Sequence, residues 1–344
     1  RSLVGSEMCI RDSSNRVYER RRENMKLIDL HCDTLWKLMD LDKTGDFYRS
    51  RCAVTIPGMK EAGTIAQFFA CFTYLEAYRT GNGYEDAYLH VQEMIDYFKR
   101  QMELGKEDIA YAGSFQELEE NEKRGVISAF LTVEEGGVLN GRIDRLDTLY
   151  QKGVRLLTPV WNYENCIGYP NSKDPAIMEK GLKPFGVEVI ERMGELGMIA
   201  DVSHASDKTF WNILKYAKGP VVATHSNCRS LCNHPRNLSD EMMRALAEKG
   251  GIMGLNFYGP FLHADGETRI SYMAEHLACM VNAGGSEFAA IGTDFDGFDG
   301  VEILEIEKAE EMERLWETLK AKGFTETQIE RIAYGNVKRV LQAL

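Results

Sequence analysis

The sequence predicts an α/β protein folded as a (β/α)8, or TIM, barrel of the metal-dependent hydrolase type. Three observations carry that expectation. Eight short β-rich runs alternate with helical patterns along the chain. The runs are apolar through most of their length, as strands buried on both faces are, which indicates an all-parallel sheet. No GxGxxG follows the first run, which weakens the open doubly wound alternative. Eight units suggest closure into a barrel.

The runs are Lys26–Asp33, Thr64–Tyr74, Val126–Gly137, Val154–Trp161, Gly197–His204, Pro220–Asn227, Gly251–Tyr258 and Phe288–Gly297. Helices are expected over Glu85–Met102, Val187–Leu196, Asp207–Tyr216, Asp240–Lys249 and Ser271–Ala283. The first of these sets Leu89, Met94, Ile95 and Phe98 on its apolar side. Ser206 and Ser239 stand where an N-cap hydroxyl belongs. The tail from Lys308 to Leu344 reads as terminal helices packed on the barrel. Residues 1–24 are polar and arginine-rich, without an apolar h-region. They read as a non-native or disordered extension, with a single domain over 25–344 that starts at Met25.

Composition narrows the function. The 344 residues carry 41 Lys plus Arg against 53 Asp plus Glu, a net charge of −12. That balance argues against nucleic acid or an anionic membrane as the main partner. No stretch of roughly 18 apolar residues offers a membrane span. The eight cysteines form no CxxC pair, and they read as free thiols in a reducing, cytoplasmic setting.

Polar residues gather where strands end, which in a barrel is the face that carries active sites. The first strand ends in His31-Cys32-Asp33 and the third in Glu134-Glu135-Gly136-Gly137. The fifth ends in Asp201-Val202-Ser203-His204, the sixth in Thr224-His225-Ser226-Asn227 and the eighth in Asp294-Phe295-Asp296. The HxD spacing directs both side chains to one face. Of the adjacent glutamates, one is expected to be functional and the other solvated. Three of the seven histidines fall at one end of three strands, and His, Asp and Glu are the ligand set of divalent metals, zinc among them. Counting His31, Asp33, Glu135, His204 and His225 gives five ligands, enough for two ions sharing a carboxylate and activating water. Asp294 is left as a proton shuttle. Arg236, in the loop after the sixth strand, is a candidate for a substrate carboxylate, with a surface arginine as the equal alternative. His90 and His276 read as surface or packing residues, and His263 has no assignment.

The segments HCDTLW, EEGG, DVSH, THSNCRSLCNHPRN and GTDFDG, in this order, resemble the membrane (renal) dipeptidase family, peptidase family M19. The resemblance runs from about Met25 to the C-terminus. It implies a (β/α)8 barrel with two zinc ions, hydrolysis of dipeptides including those with a D-residue second, and a possible homodimer. By motif, His31 and Asp33 match the ligands of one zinc, Glu135 the bridging carboxylate, and His204 and His225 the ligands of the other. Asp294 matches the acid/base, Arg236 the carboxylate receptor, and Tyr258 a substrate-side tyrosine. The chain departs from the family in one place: where a histidine contacts the scissile carbonyl, Trp161 stands, and Trp161, Asn162 or Tyr163 is expected to shape the pocket. The implied mechanism is attack by a metal-bridging hydroxide with Asp294 moving the proton. The alternatives are another amidohydrolase-like reaction, such as deacylation or lactone hydrolysis, and a metal-binding barrel without turnover.

Overall fold

In the computed structural model, residues 25–41, 45–78 and 83–343 are described. The expectations for residues 1–24, Cys9 among them, lie outside that range. The described residues form nine parallel strands: β1 (Leu27–Cys32), β2 (Thr64–Phe72), β3 (Ile109–Tyr111), β4 (Ile127–Glu134), β5 (Val154–Thr158), β6 (Ile199–Asp201), β7 (Val221–Ser226), β8 (Met253–Leu255) and β9 (Ala289–Ile291). Their order is β2-β1-β9-β8-β7-β6-β5-β4-β3, and β2 also pairs with β4. That pairing, in register from Ala66–Ser128 to Phe72–Glu134, closes a ring of eight. The eight members of the ring are the eight predicted runs.

The ninth strand is unpredicted. β3 pairs Ile109–Tyr111 with Ile127–Ala129 at the start of β4, and β5 takes over at Leu131. Three residues are too few to show a two-residue period.

One apolar cluster draws on every wall of the ring. It holds Ile28 and Leu30, Ala66 and Phe68, Phe130, Leu156, Ile199, Val222, Ile252 and Ala290. A cluster touching all eight walls can lie only inside the barrel. Within it the Phe68 and Phe130 rings stack at 4.6 Å. Val337, Val340 and Leu341 of the last helix, Asn336–Gln342, join the same cluster. The other parity of each strand, such as Ala129, Leu131 and Val133 of β4, packs outward with helical residues such as Val91, Met94 and Ile95.

The helices follow the prediction closely. They span Tyr84–Leu104, Pro184–Leu196, Asp207–Tyr216, Asp240–Glu248 and Ile270–Gly284. The Ser206 hydroxyl accepts from the Thr209 N–H and that of Ser239 from the Met242 N–H, so both predicted caps are present. In the first helix Leu89 is exposed and Val91 takes the buried face with Met94, Ile95 and Phe98. The helices Glu313–Ala321, Glu326–Glu330 and Asn336–Gln342 close the tail. The seven described cysteines are free thiols. No described helix is long and apolar enough to cross a membrane.

Candidate active site

Strand parity decides which carboxylate reaches the barrel mouth. On β4, Phe130 points into the barrel, so Thr132 and Glu134 follow it on the same face. Glu134, not Glu135, therefore stands among the histidines. Its Oε2 lies 3.3 Å from His31 Nε2, and its Oε1 lies 3.1 Å from His204 Nε2 and 3.5 Å from His225 Nε2. Asp33 Oδ2 is 3.4 Å from His31 Nε2, and Asp294 Oδ1 is 3.7 Å from it. The His204 and His225 Nε2 atoms are 3.0 Å apart, and the His31 and His225 rings stack at 3.9 Å.

Glu135 leaves the strand at φ 88° and turns away as the cap of the short turn Gly136–Leu139. Its Oε1 accepts the Gly137 N–H at 2.8 Å and the Asn165 amide at 2.5 Å. It is fully buried, so neither glutamate is the solvated one. The expectation that Glu135 bridges the site is corrected on this ground: its parity is that of Val133, outside the barrel.

Neighbouring strands orient each histidine. His225 Nδ1 is 2.7 Å from the Thr224 hydroxyl, which itself donates to Asp201 at 2.6 Å. The hydroxyl can then only accept, so the His225 Nδ1 carries the proton and its Nε2 keeps a lone pair. His204 Nδ1 meets Asn162 Oδ1 at 2.9 Å, with the same consequence. Asp201 is buried and also accepts from Thr158 Oγ1 and the Ser203 and Thr224 N–H groups, tying β5, β6 and β7 together. Asp29 does the same on the other side, accepting from Gln67 and from the Thr293 N–H and hydroxyl. Asn256 donates to Asp294 Oδ2 at 2.9 Å. Asp296 stands apart from the cluster, held by Thr34, the Ala53 N–H and Lys37.

The donor set fits divalent cations. His31 Nε2, Asp33 Oδ1 and Glu134 Oε1 are buried without a hydrogen-bond partner, an arrangement that is costly unless something pairs with them. Ligand atoms of His31, Asp33 and Glu134 lie within 4.8 Å of one another, as do those of Glu134, His204 and His225. Glu134 is common to both groups. Burial pushes the Glu134 carboxyl up to about 7 and that of Asp294 up to about 6. Burial, with Arg236 and His31 near, holds His204 and His225 well below the usual imidazole range. Burial works against a charge on His31 as well, but Glu134 and Asp33 outweigh it and raise that imidazole. Neutral imidazoles at His204 and His225, with carboxylates that draw a positive charge onto His31, suit a metal centre.

Above the cluster lies a cleft of about 540 Å³. Trp161 and Tyr258, both predicted, line it, together with Asp33, Glu134, His204 and Asp294. Trp161 sits edge-on to Phe72 and Tyr74, and Tyr258 packs on Phe261 and Phe298. Arg236 is not a surface arginine: it is 3% exposed. It is not among the residues that line the cleft. Its terminal nitrogens donate to Ser226 Oγ and His225 O, both at 2.8 Å. Its Nε, buried behind Phe261, has no partner. His276 is a packing residue that accepts the Cys228 N–H and bonds Leu262 O. His90 lines the outer cleft, and His263 stacks on Tyr272 away from it. Sequence reasoning passed over Glu134, Asn162 as a partner of His204, Asn256, and the aromatic wall. Only Glu134 had a signal in the sequence, the two-residue step Phe130-Thr132-Glu134.

A closed parallel barrel with clustered His, Asp and Glu at the carboxyl ends of its strands has the frame of a metal-dependent hydrolase. The sequence profile described as membrane dipeptidase (peptidase family M19) matches residues 16–344, so the chain belongs to that family and is a metallo-dipeptidase. A Klebsiella pneumoniae protein, uncharacterised, from the pqqA 5′ region is 32% identical over 265 residues, covering 72% of this chain and 96% of its own. An uncharacterised dipeptidase of Schizosaccharomyces pombe is 28% identical over 293 residues, 82% of this chain and 70% of its own. Among solved structures, an M19 metallopeptidase described as dipeptidase AC superposes with a TM-score of 0.83 at 23% identity, over 93% of this chain and 99% of that one. A Rhodobacter sphaeroides metallopeptidase, crystallised with a phosphinate mimic of the dipeptide L-Ala-D-Ala, gives 0.82 at 22%, with the same coverage. These two likenesses concern the fold.

Proposed function

We propose that the chain is a zinc-dependent dipeptidase with two ions per chain, acting on dipeptides that include those with a D-residue second. The observation that carries this reading is the split of Glu134: one carboxylate oxygen toward His31 and Asp33, the other toward His204 and His225. In this reading the ligands are His31, Asp33, Glu134, His204 and His225. Bound zinc supplies Lewis acidity, lowering the pKa of water from 15.7 toward about 7 and polarising the scissile carbonyl.

The protein's own groups do the rest. Asp294, pushed up to about 6 by burial, is poised to take a proton from the attacking water and pass it to the leaving amine. Asn256 fixes which oxygen does so, by occupying Oδ2. Asn162 and Thr224 hold the Nδ1 atoms of His204 and His225, so that each Nε2 faces the cluster. The unpartnered Nε of Arg236 receives the substrate's C-terminal carboxylate. Tyr258 and Trp161 line the cleft and shape the pocket. The D-residue preference extends to this chain what the Rhodobacter ligand carries. A cytoplasmic homodimer completes the proposal.

The test is metal analysis of the purified chain with a screen of L,L- and L,D-dipeptides. Turnover that disappears with chelator and returns with zinc supports the reading. Dipeptides left intact by zinc-loaded protein refute it.

A further inference from the structure

We propose that the cleft wall away from Tyr258 and Phe261 seats the side chain of the substrate's first residue, and that Asp40 on the same lining selects a cationic one, lysine or arginine. This rests on the dipeptidase reading. With the C-terminal carboxylate placed beside Tyr258 and Phe261, lining residues that pack together and, through Phe261, against Arg236, and the scissile bond over Glu134, the first residue is left the part of the cleft lined by Trp36, Phe72, Tyr74 and Trp161.

That wall is aromatic. Trp36 meets Phe72 edge-on at 5.4 Å, Phe72 meets Trp161 at 4.9 Å, and Trp161 meets Tyr74 at 5.7 Å. Such surfaces pack the methylene stem of a long side chain and attract its cationic head. Asp40 and His90 line the same cleft, and their Oδ2 and Nε2 are 3.1 Å apart. The side chain of Asp40 is 35% exposed, so it is open to a ligand while half-shielded from water.

Charge points the same way. No Lys or Arg is among the described residues that line the cleft. Of the carboxylates on the lining, Asp33, Glu134 and Asp294 stand at the histidine cluster; Asp40 and Asp299 do not, and the partner seen for Asp40 is an imidazole. Distance agrees as well. Asp40 follows Asp33 by seven residues along the helical turns Thr34–Trp36 and Lys37–Leu41. The α-helical rise of 1.5 Å per residue, which the π-turn Lys37–Leu41 does not reach, bounds that span at roughly 10 Å along the axis, within reach of a head group on a four-carbon stem projecting from the substrate's first α-carbon.

The experiment compares L-Lys-L-Ala, L-Arg-L-Ala, L-norleucyl-L-Ala and L-Glu-L-Ala on the zinc-loaded full chain, read both as kcat/KM and as calorimetric Kd. Norleucine keeps the stem and removes the charge. Lysine should exceed norleucine about tenfold, the worth of one charge-assisted contact, with glutamate the poorest. Asp40→Asn should bring the lysine-to-norleucine ratio near one, and Asp40→Lys should favour glutamate. A wild-type ratio near one, or a ratio that Asp40→Asn leaves unchanged, overturns the proposal even when dipeptides are hydrolysed. A Kd ratio that favours lysine and falls in Asp40→Asn upholds the subsite even without turnover, and in that case the hydrolytic reading alone fails.

Discussion

Neighbouring glutamates with opposite parity allow a sharp test of the site. Glu134→Gln keeps the shape of the side chain but replaces one carboxylate oxygen with an NH2 group. Glu134 faces three imidazole Nε2 atoms within 3.5 Å, so the amide points a donor at one half of the cluster and removes the shared charge from both. Removing one partner from a buried charge arrangement costs about 3–5 kcal/mol. At 1.4 kcal/mol per tenfold, that is a loss of metal affinity on the order of 10²–10³. Glu135→Gln is different. The single amide oxygen can still accept both the Gly137 N–H and the Asn165 amide, so metal content should match the wild type and stability should move by no more than about 1 kcal/mol. Burial raises the Glu135 carboxyl to about 7, and Glu135→Ala drops both of its hydrogen bonds, worth about 1–3 kcal/mol each, and leaves a cavity. It should lower unfolding stability by several kcal/mol, while the protein that remains folded still retains metal. The assays are atomic emission after zinc loading and gel filtration, and urea unfolding of the same samples. Metal lost from Glu135→Gln and kept by Glu134→Gln would refute the parity argument.

Further outcomes follow from the same geometry. Asp294→Asn should keep both metals and lose activity on the order of 10²–10⁴; full activity with metal retained excludes it as the proton carrier. Arg236→Met should lower kcat/KM for dipeptides by on the order of 10² relative to their C-terminal amides. Because Arg236 also props His225 O and Ser226, the acid-to-amide ratio is the quantity to read. An unchanged ratio removes Arg236 from substrate binding. Burial holds the His276 imidazole below its ordinary 6.5. The fold therefore prefers the neutral ring, and this contribution is complete above the unfolded value and lost as pH falls below it. His276→Asn should weaken unfolding stability at about pH 8 and flatten the fall below about pH 6.5; equal slopes for the two proteins count against it.

Much of this was legible in the sequence, and what was not has identifiable physical causes. Strands buried on both faces make long apolar runs, so the eight barrel strands could be read even where the hydrogen-bonded ladder shrinks to Ile199–Asp201 or Ala289–Ile291. The histidines were found because they follow those runs directly. The choice between Glu134 and Glu135 needed the inside face of β4, and Gly136-Gly137 drew attention to the wrong neighbour. Those glycines serve the Glu135 turn, since a Cβ at Gly136 would lie 2.8 Å from Pro159 O. The supports of the site were not visible. Asn162 to His204, Asn256 to Asp294 and Asp201 to Thr224 span 42, 38 and 23 residues, and such pairings carry no local pattern. The buried setting of Arg236 arises likewise from the packing of Phe261 over its loop.

The backbone itself marks the reaction centre. Five described non-glycine residues have positive φ: Glu135, Asn140, His204, Asp294 and Asp296. His204 and Asp294 carry site side chains, and Glu135 follows Glu134 directly. Left-handed backbone at such residues costs on the order of 1–3 kcal/mol each and persists only where the surroundings over-determine it. The surroundings here are hydrogen-bonded carboxylates: Asp201 beside His204, Asp29 beside Asp294, and Glu135 fixed by Gly137 and Asn165. The bend at Glu135 follows β4 directly, and those at His204 and Asp294 lie three residues past the ends of β6 and β9. Glu134 reaches the cluster by plain alternation along β4, whereas β1 and β7 carry register shifts beside their site histidines, between Asp29 and Cys32 and between Ala223 and Ser226. The strained backbone at His204 and Asp294, held by the buried Asp201 and Asp29, thus fixes those two side chains in place against the donors that the strands supply.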